Sequence, residues 1–237
     1  MIIYVNGDSH TAAAEAVNSF AFAEDDPDLF YLGRAPHPEN WRVGWAHQLG
    51  QLLKCSVYSN AESASSNTRI LRTTRAWLEQ HPHLHRDVVV IVQWSTWERE
   101  EWLHEGTYLQ VGSSGIDDVP QALQEKYRNY VIGTDWKSKT EQAHGGIWEF
   151  HQELSNQGIE HVFFNGNNHF GKILESDRQD WGHHYIGPYD AEMTYDQWLK
   201  NNGHSTVSAN SWHFGQPAHA AWCNRMLQYC IDHNLVT

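Results

Sequence analysis

Ile2-Ile3-Tyr4-Val5 runs straight into Asn6-Gly7-Asp8-Ser9-His10, and this opening decides how the rest of the chain is read. Three β-branched residues and a tyrosine, closed off by an Asn-Gly turn signal, predict a short buried strand. The Ala-rich stretch from Thr11 to Phe22 predicts a helix directly behind it. Ser9 is thereby placed on a strand-to-helix turn, where backbone N–H groups and a helix N-terminus stabilise developing negative charge. The bland reading of the same residues is a Gly-Asp-Ser turn followed by a helix cap. The tripeptide alone does not choose between them.

Outward from this point the pattern repeats. Short apolar runs at Ser56 to Tyr58, Val88 to Val92 and His161 to Phe164 read as buried parallel strands. Between them, Ile70, Leu71, Thr74, Trp77 and Leu78 share one helical face, with Ser65 or Ser66 placed to cap it. Near the C-terminus Ala218, Trp222, Met226, Leu227 and Cys230 do the same. Strand followed by helix, several times over, predicts an α/β three-layer sandwich around a mostly parallel sheet. Two connections, 96–140 and 171–208, are longer than a crossover needs and follow strand C-terminal ends. That edge is where open parallel sheets bind ligands, so both segments are candidates for a lid or a substrate wall. With no repeat, low-complexity tract or linker, residues 1–237 are read as one domain.

Composition narrows the function classes. A chain of 237 residues with 29 acidic against 16 basic side chains carries a net charge of -13, which repels a phosphate backbone and argues against a nucleic-acid partner. Three cysteines, Cys55, Cys223 and Cys230, match no zinc or redox spacing and suit a reducing compartment. No apolar run reaches the roughly 18 residues of a membrane span, and the N-terminus lacks the features of a signal peptide. The expectation is a soluble cytoplasmic protein without a membrane partner, a phage or virion-associated setting being the alternative. Its oligomeric state is left open. Twelve Trp and 17 His exceed what a core of this size needs, so some are expected to line a cleft or a partner surface.

The far end of the chain supplies a partner for Ser9. Asn210-Ser211-Trp212-His213-Phe214-Gly215 precedes the last amphipathic helix, which puts His213 in a loop. A serine hydroxyl is a poor nucleophile until a base takes its proton, and a neutral imidazole is the usual base. Together these ends resemble the SGNH/GDSL hydrolase family. Gly7-Asp8-Ser9 matches that family's first block, and Asn210 to His213 resembles its C-terminal DxxH with Asn in place of Asp. Ala64, in Ser59-Asn60-Ala61-Glu62-Ser63-Ala64-Ser65-Ser66, takes the place of the second-block glycine. Ser95, in Gln93-Trp94-Ser95-Thr96, takes that of the third-block asparagine.

The resemblance implies a flavodoxin-like, five-stranded sheet and a serine ester hydrolase needing no cofactor or metal. Ser9 would be the nucleophile and His213 the base, with Asn210 in the third position. The N–H groups of Ser9 and Ala64 and the hydroxyl of Ser95 would form the oxyanion hole. Asp8, His10, Trp94, Arg99 and Asn167, at or beside the strand ends, are the expected substrate contacts, the bland reading being an exposed charged helix start for Arg99 and an ordinary turn for Asn167. An amide at Asn210 cannot supply the charge that a Ser-His-Asp triad uses, which is worth about 10⁴ in turnover. Three accounts stay open: a dyad oriented by a backbone carbonyl, a carboxylate brought from elsewhere, or a retired site. The substrate expected first is an acylated sugar, because Trp97, Trp102, Trp136, Trp181, Tyr185 and Tyr189 populate the two long segments. The competing class is an inactive binding or structural module, glycan-binding or particle-associated. A dinucleotide-binding oxidoreductase lacks its G-x-G-x-x-G.

Two histidine groups invite a metal reading. His81-Pro82-His83-Leu84-His85 precedes the third strand and so belongs to the rim opposite Ser9, where a solvated loop is expected. His183-His184 is the better pair, although adjacent side chains usually diverge. His219 is expected to pack or cap.

Overall fold

The computed structural model describes residues 1–24, 31–113 and 119–236. Four parallel strands, β1 (Ile2–Asn6), β2 (Ser56–Ser59), β3 (Val88–Trp94) and β6 (Glu160–Asn165), form the central sheet in the order β2-β1-β3-β6. Side chains alternate between its faces with the period of two that a strand imposes. Ile3, Val5, Val89, Ile91, Val162 and Phe164 pack on one face with α2 (Trp45–Leu53), α6 (Tyr195–Asn201) and α7 (Gln216–Asp232). Tyr4, Val88, Val90, Val92 and Phe163 pack on the other with α3 (Asn67–Gln80) and α5 (Trp136–Asn156). All seven residues of β3 are buried, as expected of a central strand covered on both faces. The three-layer α/β class is therefore as the sequence predicts. The α3 cap is Ser66, whose Oγ accepts from the Arg69 N–H at 3.2 Å.

Among the described residues the sheet has four strands where five are expected. The fifth position, beside β6, is reduced to one parallel bridge, Phe163 to Tyr185, in which the Ile186 N–H donates to the Phe163 carbonyl at 2.9 Å. Gly182 and Gly187, both at positive φ, and Pro188 bracket that segment and stop it from continuing as a strand.

The helix expected over Thr11 to Phe22 is also absent. Thr11 and Ala12 donate to the Asp8 carbonyl and Ala14 to that of Ser9, one turn's worth of bonds. Ala13 (φ 57) and Glu15 (φ 61) then reverse the backbone, a left-handed conformation costing roughly 1–2 kcal/mol for each non-glycine residue. Buried Asn40, in α1 (Pro38–Val43), offsets that cost. Its Oδ1 accepts from the N–H groups of Val17 and Asn18, and its Nδ2 donates to the carbonyls of Asn18 and Phe20. One side chain thus supplies what helical bonds would have supplied, and tertiary packing overrides alanine's propensity.

Of the long connections, the first holds an antiparallel hairpin, β4 (Glu100–His104) with β5 (Thr107–Val111), and α4 (Gln124–Gly133). The second is a series of short 3-10 turns leading into α6. No helix among the described residues is long and apolar enough to cross a membrane.

Candidate active site

In the order β2-β1-β3-β6, the chain leaves β1 toward one side of the sheet and β3 toward the other, so a crevice opens between their C-terminal ends. Asp8, Ser9 and His10 emerge there from β1, and Ser95 and Thr96 from β3. Gly7 makes the approach possible: a Cβ on it would lie 2.6 Å from Thr11 Oγ1 and 2.9 Å from the Gln93 side chain. The loop before α7 closes the crevice with Trp212 and His213, leaving a cavity of about 500 Å³ whose walls include Ser9, Ala64, Arg99, Asn167 and His213. The two ends of the chain therefore meet at one lip of the sheet.

His213 is oriented by a carboxylate, and it is that of Glu15. His213 Nδ1 donates to Glu15 Oε2 at 3.0 Å, which leaves Nε2 as the ring's proton acceptor. Ser211 ties the pair together, its hydroxyl donating to the same Glu15 oxygen and accepting from the His213 N–H at 3.0 Å. Burial alone would raise the Glu15 pKa, but the bonds from Ser211 and His213 and the nearby imidazole outweigh it and hold the carboxyl below its ordinary value. Asn210 is exposed, and its side chain makes no hydrogen bond among the described residues. The place beside His213 expected of Asn210 is thus occupied by Glu15, from the reversed turn behind the serine.

Ser9 is buried to 6 % exposure, lines the cavity, and its hydroxyl makes no hydrogen bond among the described residues. The N–H groups of Ser9 and Ala64 are equally uncommitted. Ala64 sits at φ 63, the left-handed conformation that a glycine adopts without penalty.

Ser95 departs from its expected role. It is 1 % exposed, and its hydroxyl donates to Asp8 Oδ2 at 2.8 Å, so it has no proton to offer an oxyanion. Arg99 lies beside it: Nη1 is 3.0 Å from Ser95 Oγ and 3.2 Å from Asp8 Oδ2, and the residue borders the cavity. It belongs to a turn before β4, not to a helix. Asp8 Oδ1 accepts from the His10 N–H and from Gln93 Nε2. Burial would raise the Asp8 pKa; His10, Arg99 and these donated bonds outweigh it and keep the carboxyl low. With both oxygens committed, Asp8 organises the floor of the site. His10 Nε2 donates to Asn167 Oδ1 at 2.8 Å, which joins the β1 and β6 ends.

Trp94, expected at the substrate, is instead fully buried, its ring against Phe150 and Phe163. Trp97, Trp102, Trp181 and Tyr185 are likewise core residues, and Trp97 stacks on Phe170 at 4.9 Å. The aromatic excess of the long segments therefore goes mostly into packing. Trp212, 69 % exposed beside His213, and Trp136, 51 % exposed, are the accessible rings near the cleft.

Behind the site, His219 is buried with Nδ1 3.4 Å from both the Trp45 N–H and the Tyr195 hydroxyl. Burial, then the proximity of His10 and His213, lowers its pKa from 6.5 to about 3. The unfolded chain binds a proton below 6.5 that the folded chain refuses, so stability is full above that value and falls as pH drops toward 3. Urea unfolding at pH 5 is expected to give about 2 kcal/mol less stability than at pH 7 from this residue. His219→Gln is expected to remove most of that difference.

The chain is thus an α/β protein with a strand-end cleft that gathers a serine, a histidine and a carboxylate. No protein-family model matches it, and no curated protein matches its sequence. Similar solved structures exist. The chain is similar to TesA at 12 % identity and a TM-score of 0.44, over 98 % of this chain and 97 % of that one. It is similar to a carbohydrate esterase whose active site "displays divergent catalytic and non-catalytic binding functions" at 11 % identity and a TM-score of 0.46, over 96 % and 67 %. A lipolytic protein of the G-D-S-L family from Desulfitobacterium hafniense DCB-2 aligns at 14 % identity and a TM-score of 0.36, over 96 % and 98 %.

Proposed function

We propose that this protein is a serine hydrolase of ester bonds. The observation that carries the reading is the Glu15 to His213 contact at 3.0 Å on the wall of the cavity that also exposes Ser9. In the reaction, Ser9 Oγ attacks the ester carbonyl while His213 Nε2 takes its proton, and Glu15 stabilises the imidazolium that forms. The tetrahedral oxyanion is met by the N–H groups of Ser9 and Ala64, with the Arg99 guanidinium as the cationic member. His213 then gives its proton to the leaving alcohol, and water attacks the acyl-enzyme by the same route reversed.

An acylated saccharide is the finer reading of the substrate. Trp212 at the lip supports it, as does the adjoining cavity of about 370 Å³ that shares Asn167 with the first and includes Trp136 in its wall. Hydrolysis of short-chain aryl esters and acetylated saccharides is expected in the wild type and to be lost in Ser9→Ala. Equal rates in the two proteins contradict the proposal.

A second reading, a binding module that keeps the fold without the reaction, is favoured by one observation. The Ser9 hydroxyl makes no hydrogen bond to His213. No turnover of any ester by a folded wild type, together with saccharide binding in the cleft, is the result that supports it.

A further inference from the structure

On the rim opposite Ser9 lies a group of side chains that ester hydrolysis does not use. Glu160 opens β6, and His183 and His184 form the 3-10 turn that leads to the single bridge at Tyr185. Adjacent side chains diverge on a regular element, yet these two rings stand 4.1 Å apart between centroids. The turn opens with Gly182 at φ 54, and its backbone is held from outside, the Tyr229 hydroxyl donating to the His183 carbonyl at 2.8 Å. One candidate ligand atom from each of Glu160, His183 and His184 lies within 4.8 Å of the other two.

We propose that Glu160, His183 and His184 bind a divalent transition-metal ion of the zinc type. Two imidazoles and a carboxylate form a nitrogen and oxygen set that such ions accept. Metal bonds of about 2.0–2.1 Å put tetrahedral ligands roughly 3.3 Å apart, so the three ligand atoms have to close by at most about 1.5 Å to hold an ion. His184 is already oriented: its Nδ1 donates to the His161 carbonyl at 3.0 Å, which leaves Nε2 with a free lone pair. A histidine fixed through its second nitrogen to a backbone carbonyl is the usual support of a metal ligand. The His184 ring also stacks on that of His161 at 4.2 Å, and the His183 ring on that of His233 at 5.5 Å. Water is left as the fourth ligand.

The place in the fold gives the ion a task. Among the described residues β6 ends the sheet, and beyond its single bridge to Tyr185 it has no strand to pair with on that side. A metal joining Glu160 to residues 183 and 184 clips the connecting segment onto that open edge. It braces the fold on the rim away from the reaction.

The test starts from protein stripped with EDTA and titrated with zinc chloride by calorimetry. The wild type is expected to bind one zinc with micromolar or tighter affinity. A hundredfold excess of zinc over its dissociation constant is expected to raise Tm by about 5–10 °C. Glu160→Gln and His183→Ala are each expected to weaken binding tenfold or more, whereas the combined replacement of His81, His83 and His85 by alanine leaves it unchanged. Glu160 is exposed, so its variant keeps the fold, and cobalt(II) absorption of tetrahedral intensity in the wild type is expected to fade in it. The proposal is overturned by a wild type that binds no zinc. It is equally overturned by unchanged affinity in folded Glu160→Gln and His183→Ala, or by loss confined to the 81, 83 and 85 variant.

Discussion

Glu15→Gln is expected to lower kcat for ester hydrolysis about 10³-fold while KM changes little. The carboxylate stabilises an imidazolium that exists only after proton transfer, so its loss falls on the transition state and not on substrate binding. A fully buried triad carboxylate is worth about 10⁴. The Glu15 side chain is 34 % exposed, and water screens part of its charge, which sets the smaller figure. Asn210→Ala, in contrast, is expected to leave kcat within about twofold, because exposed residues with no partner contribute little. Steady-state kinetics on one aryl ester across the three proteins measures both. The reverse order of effects would return the third position to Asn210.

The second large effect concerns stability. Arg69→Met is expected to cost about 3–5 kcal/mol and to lower Tm by about 6–20 °C. Arg69 is paired with Glu62, and their side chains are 8 % and 0 % exposed. Removing the guanidinium strands a buried carboxylate, and the desolvation of that charge is then uncompensated. The pair also supports the cleft: Glu62 Oε1 accepts from the N–H groups of Gly33 and Arg34, while Arg69 Nη1 donates to the Asn60 carbonyl and to Ser65 Oγ. These bonds hold the loop that carries Ala64 at its left-handed turn. A double variant, Glu62→Leu with Arg69→Met, is expected to be less destabilised than Arg69→Met alone, and calorimetry of the set decides it.

What the sequence discloses follows from the range of the forces involved. The strands of β1, β3 and β6 and the faces of α3 and α7 are written in local periodicity, which burial on a sheet imposes residue by residue. Ser9 and His213 are legible because their neighbours carry a pattern. Glu15 is not, because it sits in an Ala-rich run that reads as an ordinary helix. The reversal at Ala13 and Glu15 depends on Asn40, a residue from another element. Similarly, Ser95 is legible as an occupant of a strand end, but its donation to Asp8 is decided by Arg99 and Gln93 packing around that carboxylate. The tryptophans mislead for a related reason: composition reports how many there are, and only packing separates Trp97 in the core from Trp212 at the lip.

In the proposed mechanism Ser9 is made nucleophilic by His213 under the charge of Glu15, and one covalent measurement addresses this without knowledge of the substrate. An alkyl fluorophosphonate is incubated with wild type, Glu15→Gln and Asn210→Ala, and the rate and position of labelling are read by peptide mass spectrometry. A single label on Ser9 is expected, forming at similar rates in wild type and Asn210→Ala and at least about 10²-fold more slowly in Glu15→Gln. An unlabelled wild type, a label on another residue, or equal rates in wild type and Glu15→Gln would contradict it.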